Sequence, residues 1–336
     1  MRFNPFFFTS LIPSSLPVIL KTERLTNELR KTYNMKNLSL LILFLQFSLI
    51  SCSQDTKEIF NRAVELKKNG KYKEALSEYD KVLLIKPNFV NALINRANVK
   101  SLLNDNNGAI NDLNEAEKID PSDPEIYYNR GNAKHDMTLY KEAIVDYDKA
   151  IKLSTHEDYF LGRGNSQKAL GLYEEAIKDY SEAISINSKF TDAYYNRANA
   201  KQKINDFTGA IEDYNQAIEI DPKKIECYMN RGNTKIRLQK FQEAIMDFDI
   251  YINVNPNNYL AYSNRGIANG GLKNNEQAIA DYSKAIEINP KSADSYFGRA
   301  GIKHSKGDKE GECADLKKAA DLGFERAKNI YDKNCK

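Results

Sequence analysis

The chain has 336 residues, with 49 basic and 46 acidic side chains and a net charge of +3. The charges are mixed along its length and form no long like-charge run of the kind that makes a nucleic-acid-binding arm, so a nucleic-acid role is not expected. This length suits two ordinary domains or one array of small units, and internal self-similarity favours the array.

Residues 35–54, MKNLSLLILFLQFSLISCSQ, hold one lysine, an apolar run from Leu38 to Ile50, then small residues and a cysteine. That is the order of a secretory signal peptide, and the run is short beside the roughly 20 residues of a membrane-spanning helix. The LISC ending, Leu49 to Cys52, resembles the lipobox of bacterial lipoproteins. This resemblance implies a signal peptide over 35–51, cleavage before Cys52, lipid on that cysteine, and a lipidated tether over 52–55. A structural cysteine after a buried helix is the plainer alternative. Signal peptides begin close to a basic N-terminus, yet 34 residues precede Met35. The start is therefore placed at Met35, with residues 1–34 an upstream extension. A signal anchor with a cytosolic tail is the competing reading, and the short apolar run disfavours it.

From Arg62 onward an arginine recurs: Arg62, Arg96, Arg130, Arg163, Arg197, Arg231, Arg265 and Arg299, spaced 34 residues apart except for one interval of 33. The residue after each is always Ala or Gly (Ala63, Ala97, Gly131, Gly164, Ala198, Gly232, Gly266, Ala300). Thirteen residues after the arginine, seven units have alanine, and four further on comes a large residue such as Tyr147, Tyr180, Tyr214 or Phe248. This alternation of small and large along one face predicts pairs of packed helices. Pro87, Pro121, Pro222, Pro256 and Pro290 close the second helices.

The 34-residue period and these positions resemble the tetratricopeptide repeat. That resemblance implies an all-α, right-handed superhelical solenoid of eight helix-turn-helix units: 56–89, 90–123, 124–156, 157–190, 191–224, 225–258, 259–292 and 293–323. A capping helix over 324–336 hides the last apolar face. The chain departs from the family in having Arg where a bulky apolar residue is usual, and Tyr194, Tyr228, Tyr262 and Tyr296 where Trp is frequent. Its eighth unit replaces the small alanine by Glu312.

Sixteen residues after each arginine stands a carboxylate, giving the pairs Arg62–Glu78, Arg96–Asp112, Arg130–Asp146, Arg163–Asp179, Arg197–Asp213, Arg231–Asp247, Arg265–Asp281 and Arg299–Asp315. In an antiparallel hairpin, residues equidistant from the turn face each other, so each pair is expected to clasp the two helices of one unit. A row of arginines binding an anionic ligand is the alternative.

Asparagines precede the arginine (Asn61, Asn95, Asn129, Asn196, Asn230, Asn264) and follow it by two (Asn98, Asn132, Asn165, Asn199, Asn233), which places them on one helix face. In the family that these units resemble, such positions line the concave groove, where asparagines grip the backbone of an extended peptide. Tyr128 and Tyr195 lie beside them and suit apolar side chains. The plainer reading is that the carboxamides bond within the hairpin or to the next unit. Lysines further along the helix, among them Lys134, Lys168, Lys201 and Lys235, are read as a positive groove edge or a solvated face. The family's carboxylate clamp is not expected, because its lysine position holds Ile94, Tyr128 or Tyr195.

His135, His156 and His304 stand far apart and read as surface residues. GRGN at 162–165 falls in a repeat helix, without the strand a dinucleotide fingerprint needs. No enzyme activity, cofactor, metal or small-molecule substrate is expected. Cys313 and Cys335 flank the turn at Gly323 and Phe324 symmetrically, so an exported chain is expected to join them as a disulfide. Cys227, at a position held by alanine in other units, is expected as a buried thiol, and a fully reduced set is the rival reading. The function implied is an exported, lipid-anchored scaffold at the outer membrane of a bacterial cell, binding a protein or extended peptide in its groove. The alternatives are a structural subunit of an outer-membrane assembly and a glycan or peptidoglycan binder.

Overall fold

The computed structural model describes residues 55–336, so the signal segment 35–51, the tether with Cys52 and the extension 1–34 lie outside the described residues. Among the described residues there are seventeen helices and no strand. They alternate as first and second helices of successive hairpins. Contacts divide the chain at Leu103 and Asn104 into two compact parts.

In the first part, α1 (55–68) and α2 (Tyr72–Ile85) form one hairpin, and α3 (Val90–Leu102) packs against α2. Ala63, Ala75, Tyr79 and Val82 are buried, and the Phe60 ring lies 5.9 Å from that of Tyr79, edge to face.

The second part begins with α4 (Asn106–Ile119), followed by five full hairpins: α5 (Pro124–Asp136) with α6 (Tyr140–Leu153), α7 (Glu157–Ala169) with α8 (Tyr173–Ile186), α9 (Thr191–Lys203) with α10 (Phe207–Ile220), α11 (Glu226–Arg237) with α12 (Phe241–Val254), and α13 (Tyr259–Gly271) with α14 (Asn275–Ile288). A sixth, α15 (Ala293–Ser305) with α16 (Lys309–Asp321), is followed by α17 (Glu325–Asn334). Each helix packs on the next, and each first helix also touches the first helix of the neighbouring hairpin. The first helices therefore share one face of this part.

Hairpin closure follows from the small residue after each arginine. A Cβ on Gly131, Gly164 or Gly232 would come within 2.8 Å of the ring of Tyr147, Tyr180 or Phe248, respectively. Those rings, no more than 1 % exposed, fill the space between the two helices. Full burial of a ring such as that of Phe248 contributes about 1.5–3 kcal/mol.

Every hairpin turn contains one residue of positive φ: Gly70, Asn104, Thr138, Gly171, Asn205, Gln239, Lys273 and Gly307. This left-handed residue ends the first helix, and the next amide reaches back five residues to close it, as Asp206 N–H does to Lys201 C=O at 2.9 Å. The second helix then starts at once, in α4, α10 and α16 under an aspartate cap: Asp105, Asp206 and Asp308 each accept a bond from the backbone amide three residues on.

The chain end is stapled. Cys313 and Cys335 form a disulfide with a Cα–Cα distance of 5.6 Å, tying α17 to α16. Beneath it Ala300, Leu316, Ala319 and Ala327 form an apolar cluster with Phe324, Ile330 and Tyr331 packed on its edge. Cys227 is a buried free thiol.

Candidate functional site

The arginines pin three helices, not two. Within each hairpin the guanidinium meets the carboxylate sixteen residues on: Arg130–Asp146 at 2.8 Å, Arg163–Asp179 at 2.6 Å, Arg197–Asp213 at 2.6 Å, Arg231–Asp247 at 2.6 Å, Arg265–Asp281 at 2.6 Å and Arg299–Asp315 at 2.7 Å. Arg62 makes the same contact with Glu78 in the first part, at a more exposed place. Arg96 and Asp112 belong to different parts of the chain. The bonds are two-pronged, Nε and one terminal nitrogen each donating to the carboxylate, as with Arg197 and Asp213.

A second terminal nitrogen reaches the second helix of the preceding repeat. Its acceptors are Asp80 for Arg96, Asn114 and Glu117 for Arg130, Asp148 for Arg163, Ser181 for Arg197, Asn215 for Arg231, Asp249 for Arg265 and Ser283 for Arg299, at 2.5–2.9 Å. Sequence reading missed this inter-repeat bond although its signal is regular, since the residue two places after each of the first seven clasp carboxylates is Asp, Asn or Ser. After the last carboxylate, where no further arginine follows, that place holds Lys317.

In the third to eighth repeats the guanidinium also lies over the aromatic ring three residues before it. The distances to Tyr127, Phe160, Tyr194, Tyr228, Tyr262 and Tyr296 fall between 5.4 and 5.7 Å. With so many bonds inside the protein, these arginines hold the array together. The Asp179 and Asp148 carboxylates hold Arg163 well above its ordinary value, against the opposing effect of burial.

The lysines four residues after the arginine are corrected from a groove edge to members of the clasp. Lys134, Lys201, Lys235 and Lys303 bond the same carboxylates at 2.6–2.9 Å, and Asn269 does so in the seventh repeat. The fourth repeat has Gln167 at this place, and its buried Oε1 has no hydrogen-bond partner. Lys168 instead donates to Asn196.

The asparagines serve two sets of partners. Asn132, Asn165 and Asn199 accept hydrogen bonds from the hydroxyls of Tyr147, Tyr180 and Tyr214, and Asn233 accepts one from Asn264. Asn230 donates to Asn199 and to the Tyr195 hydroxyl, linking neighbouring repeats. Asn95, Asn129 and Asn196 donate to the backbone carbonyls of Asn91, Glu125 and Asp192 on their own helices. Asn98 is half-buried on α3 in the first part. The Asn132 side chain also hydrogen-bonds the Tyr128 hydroxyl, and what remains uncommitted is the NH2 of Asn165, Asn199 and Asn233. Each makes no hydrogen bond among the described residues, and none is a sealed, unsatisfied buried group. One donor in each of the fourth to sixth repeats thus stands open on the first-helix face.

Tyr128 and Tyr195 are half-buried beside this row. The Tyr128 ring lies 5.0 Å from that of Tyr159, and the Tyr195 ring 6.2 Å from that of Tyr214. Gly162 and Gly298 replace asparagine because a Cβ there would approach the rings of Tyr147 and Tyr282 within 2.6 and 2.5 Å.

His135 is corrected from a surface residue to a half-buried one. Its Nδ1 lies 2.8 Å from Ser166 Oγ, and burial lowers its pKa. His156 and His304 are exposed. No group of His, Cys, Asp and Glu among the described residues is placed to hold a metal, and no described helix is long and apolar enough to cross a membrane.

A stack of clasped helical hairpins offering one open face defines the class of repeat scaffolds that bind other proteins. Family models described as tetratricopeptide repeat match residues 58–89, 124–156, 191–224 and 259–292, and a further TPR repeat model matches 98–137 and 164–205. The chain is a tetratricopeptide-repeat protein. Among solved structures it resembles a tetratricopeptide-repeat protein from Parabacteroides merdae at 21 % identity and a TM-score of 0.52, covering 74 % of this chain and 99 % of that one. It also resembles the C-terminal part of a TPR repeat-containing protein from Cytophaga hutchinsonii, at 20 % identity and a TM-score of 0.59, covering 68 % and 95 %. A third likeness, to the APC/C hetero-tetramer Cut9–Hcn1, has 14 % identity and a TM-score of 0.54, and covers 79 % of this chain but 53 % of that one. At these identities the likeness is one of fold. No curated protein matches the chain.

Proposed function

We propose that the protein is an exported, lipid-anchored scaffold that binds a protein or an extended peptide along its first-helix face. One observation carries the reading: the uncommitted NH2 groups of Asn165, Asn199 and Asn233, in three successive repeats, each with its carbonyl oxygen already held inside the protein. A fixed oxygen orients the amide, and the NH2 is then a prepared donor for the carbonyls of an extended chain.

Export and anchoring rest on the lipobox resemblance at Leu49–Cys52. The Cys313–Cys335 disulfide supports them, because such bonds persist in oxidising compartments such as a bacterial periplasm. The location proposed is the bacterial envelope, at the outer membrane.

The test is crosslinking in the native cell, with identification of the captured chain and its loss on combined Asn199→Ala and Asn233→Ala substitution. Capture that survives these changes unaltered refutes the groove. A second reading, a subunit fixed in an assembly by its second-helix face, is favoured by one feature. Met246, Ile250 and Val254 form an exposed apolar stripe on α12, with Met246 and Val254 each 60 % exposed. Failure of assembly on Met246→Lys with the groove intact would select it.

A further inference from the structure

The first-helix face changes character towards its C-terminal end. Five residues before the arginine the third to sixth repeats carry a carboxylate, Glu125, Asp158, Asp192 and Glu226, the fourth having Glu157 beside it; the seventh has Leu260 there, and the eighth returns to an acid with Asp294. Two residues after the arginine, the second to sixth repeats have asparagine, whereas the seventh has Ile267 and the eighth Gly301. Leu260 and Ile267 are seven residues apart on one helix face, and they are 48 % and 43 % exposed.

Gly301 is a glycine that packing does not require. A Cβ there meets nothing within 4 Å, and glycine inside a helix is worse than alanine by about 1 kcal/mol. The space it leaves opens into a cavity of ≈ 280 Å³ lined by Phe297, Ala300, Leu316 and Ile330, with Glu312 and His304 on its polar side. That volume lies just below the range of about 300–1,000 Å³ typical of small-molecule pockets, and suits a single side chain. The wall on α17 is held in place by the Cys313–Cys335 bond. Glu312, the departure from alanine noted in the sequence, bonds His304 at 3.0 Å and Lys309 at 3.4 Å, so its charge is matched within the protein.

Compensation along the acidic row is partial. Among the described residues, Asp192 is paired with Lys224, Glu125 accepts a bond from the Tyr159 hydroxyl, and Asp158 has the imidazole of His156 3.6 Å away. Burial raises Asp158, and the neighbouring Glu157, Glu125 and Asp192 raise it further.

We infer that this face selects an extended peptide with basic residues over the acidic row and two apolar side chains at its other end, one on Leu260 and Ile267 and one in the cavity behind Gly301. The inference rests on the groove reading and gives its partner a chemistry. Packed helices lie about 8–10 Å apart and an extended chain advances about 3.3 Å per residue, so successive repeats meet every third residue of the peptide. The two apolar anchors are therefore three residues apart.

The test is fluorescence anisotropy with the full mature chain and a labelled peptide, Lys-Ser-Ser-Lys-Ser-Ser-Leu-Ser-Ser-Leu, run in both sequence directions. One direction is expected to bind, and replacing either leucine by serine weakens it by about tenfold or more. Ile267→Asn, which restores the residue of other repeats, and Gly301→Leu, which fills the cavity mouth, weaken it similarly. Both variants are expected to melt no lower than the parent, so lost binding is not lost folding. Binding that responds to Asn199→Ala with Asn233→Ala but ignores the leucines, Ile267 and Gly301 overturns the anchors and leaves the groove. Indifference to replacing the lysines overturns the acidic edge. Absence of binding by every peptide up to about 1 mM, an affinity of only about 4 kcal/mol, overturns both.

Discussion

Replacing Arg163 by alanine is expected to destabilise the array more than the same change at Arg197, although the two arginines stand at equivalent positions. Arg163 holds Asp179 through bonds of 2.6 and 2.8 Å, and Asp179 is buried. With the arginine gone, Asp179 has no other side-chain partner among the described residues, because Gln167 stands where other repeats have lysine. An isolated buried carboxylate of this kind costs about 3–5 kcal/mol. Asp213 keeps Lys201 at 2.9 Å when Arg197 is removed, so the loss reduces to that of charge-assisted hydrogen bonds, about 1.5–3 kcal/mol. Both variants lose a cation–aromatic stack of similar geometry, which cancels in the comparison. The expected difference is about 1–2 kcal/mol. Repeat arrays unfold locally, so the assay is amide hydrogen exchange read separately over α7–α8 and α9–α10. Adding Gln167→Lys to Arg163→Ala should restore about half of the loss, and Arg163→Leu with Asp179→Ala should also recover part. Equal losses at the two sites, or no rescue by the new lysine, would refute the clasp.

Stability should fall in acid. Glu117 lies below its ordinary value of 4.5 chiefly through the hydrogen bond from Arg130, and in Glu312 bonds from His304 and Lys309 outweigh the upward push of burial. Groups depressed on folding contribute fully above the unfolded value and lose that contribution as pH falls through the folded one, so melting should be level from about pH 8 to 5.5 and drop below about 4.5, with the drop reduced in Glu117→Gln. Reducing the Cys313–Cys335 bond opens a loop with a sequence separation of 22 and should cost about 3 kcal/mol, seen as faster exchange in α17 alone. Cys227, whose thiol burial pushes up to about 12, should stay unalkylated by iodoacetamide at pH 8 in the folded chain. Thr138→Gly should stabilise by about 1 kcal/mol, since a β-branched residue holds φ +62° in the turn before α6, and chemical denaturation would show an unchanged midpoint if that strain were absent. Cys52→Ser should abolish lipidation and release the protein from detergent-phase fractions; unchanged partition and precursor size would remove the anchor.

The period of 34, the small residue after each arginine and the proline stops were enough to read an all-α array of hairpins, because helix pairing within a repeat is local. The residues eight on either side of the turn could be paired from sequence for the same reason. Sequence also carried the acceptor that each arginine finds in the preceding repeat, but only as an unexplained run of Asp, Asn and Ser. Its meaning depends on how one hairpin rests on the next, which no spacing within a repeat specifies. Lys134, Lys201 and Lys235 were misplaced on an open edge because a long side chain can reach several groups, and only the positions of Asp146, Asp213 and Asp247 decide which it meets. The asparagines divided along the same line. Their shared face follows from helix periodicity, while the split between a carbonyl held by a buried tyrosine and an NH2 left open is set by packing across two helices. The cavity behind Gly301 is a property of tertiary structure alone, since an empty volume exists only once α15, α16 and α17 have closed around it.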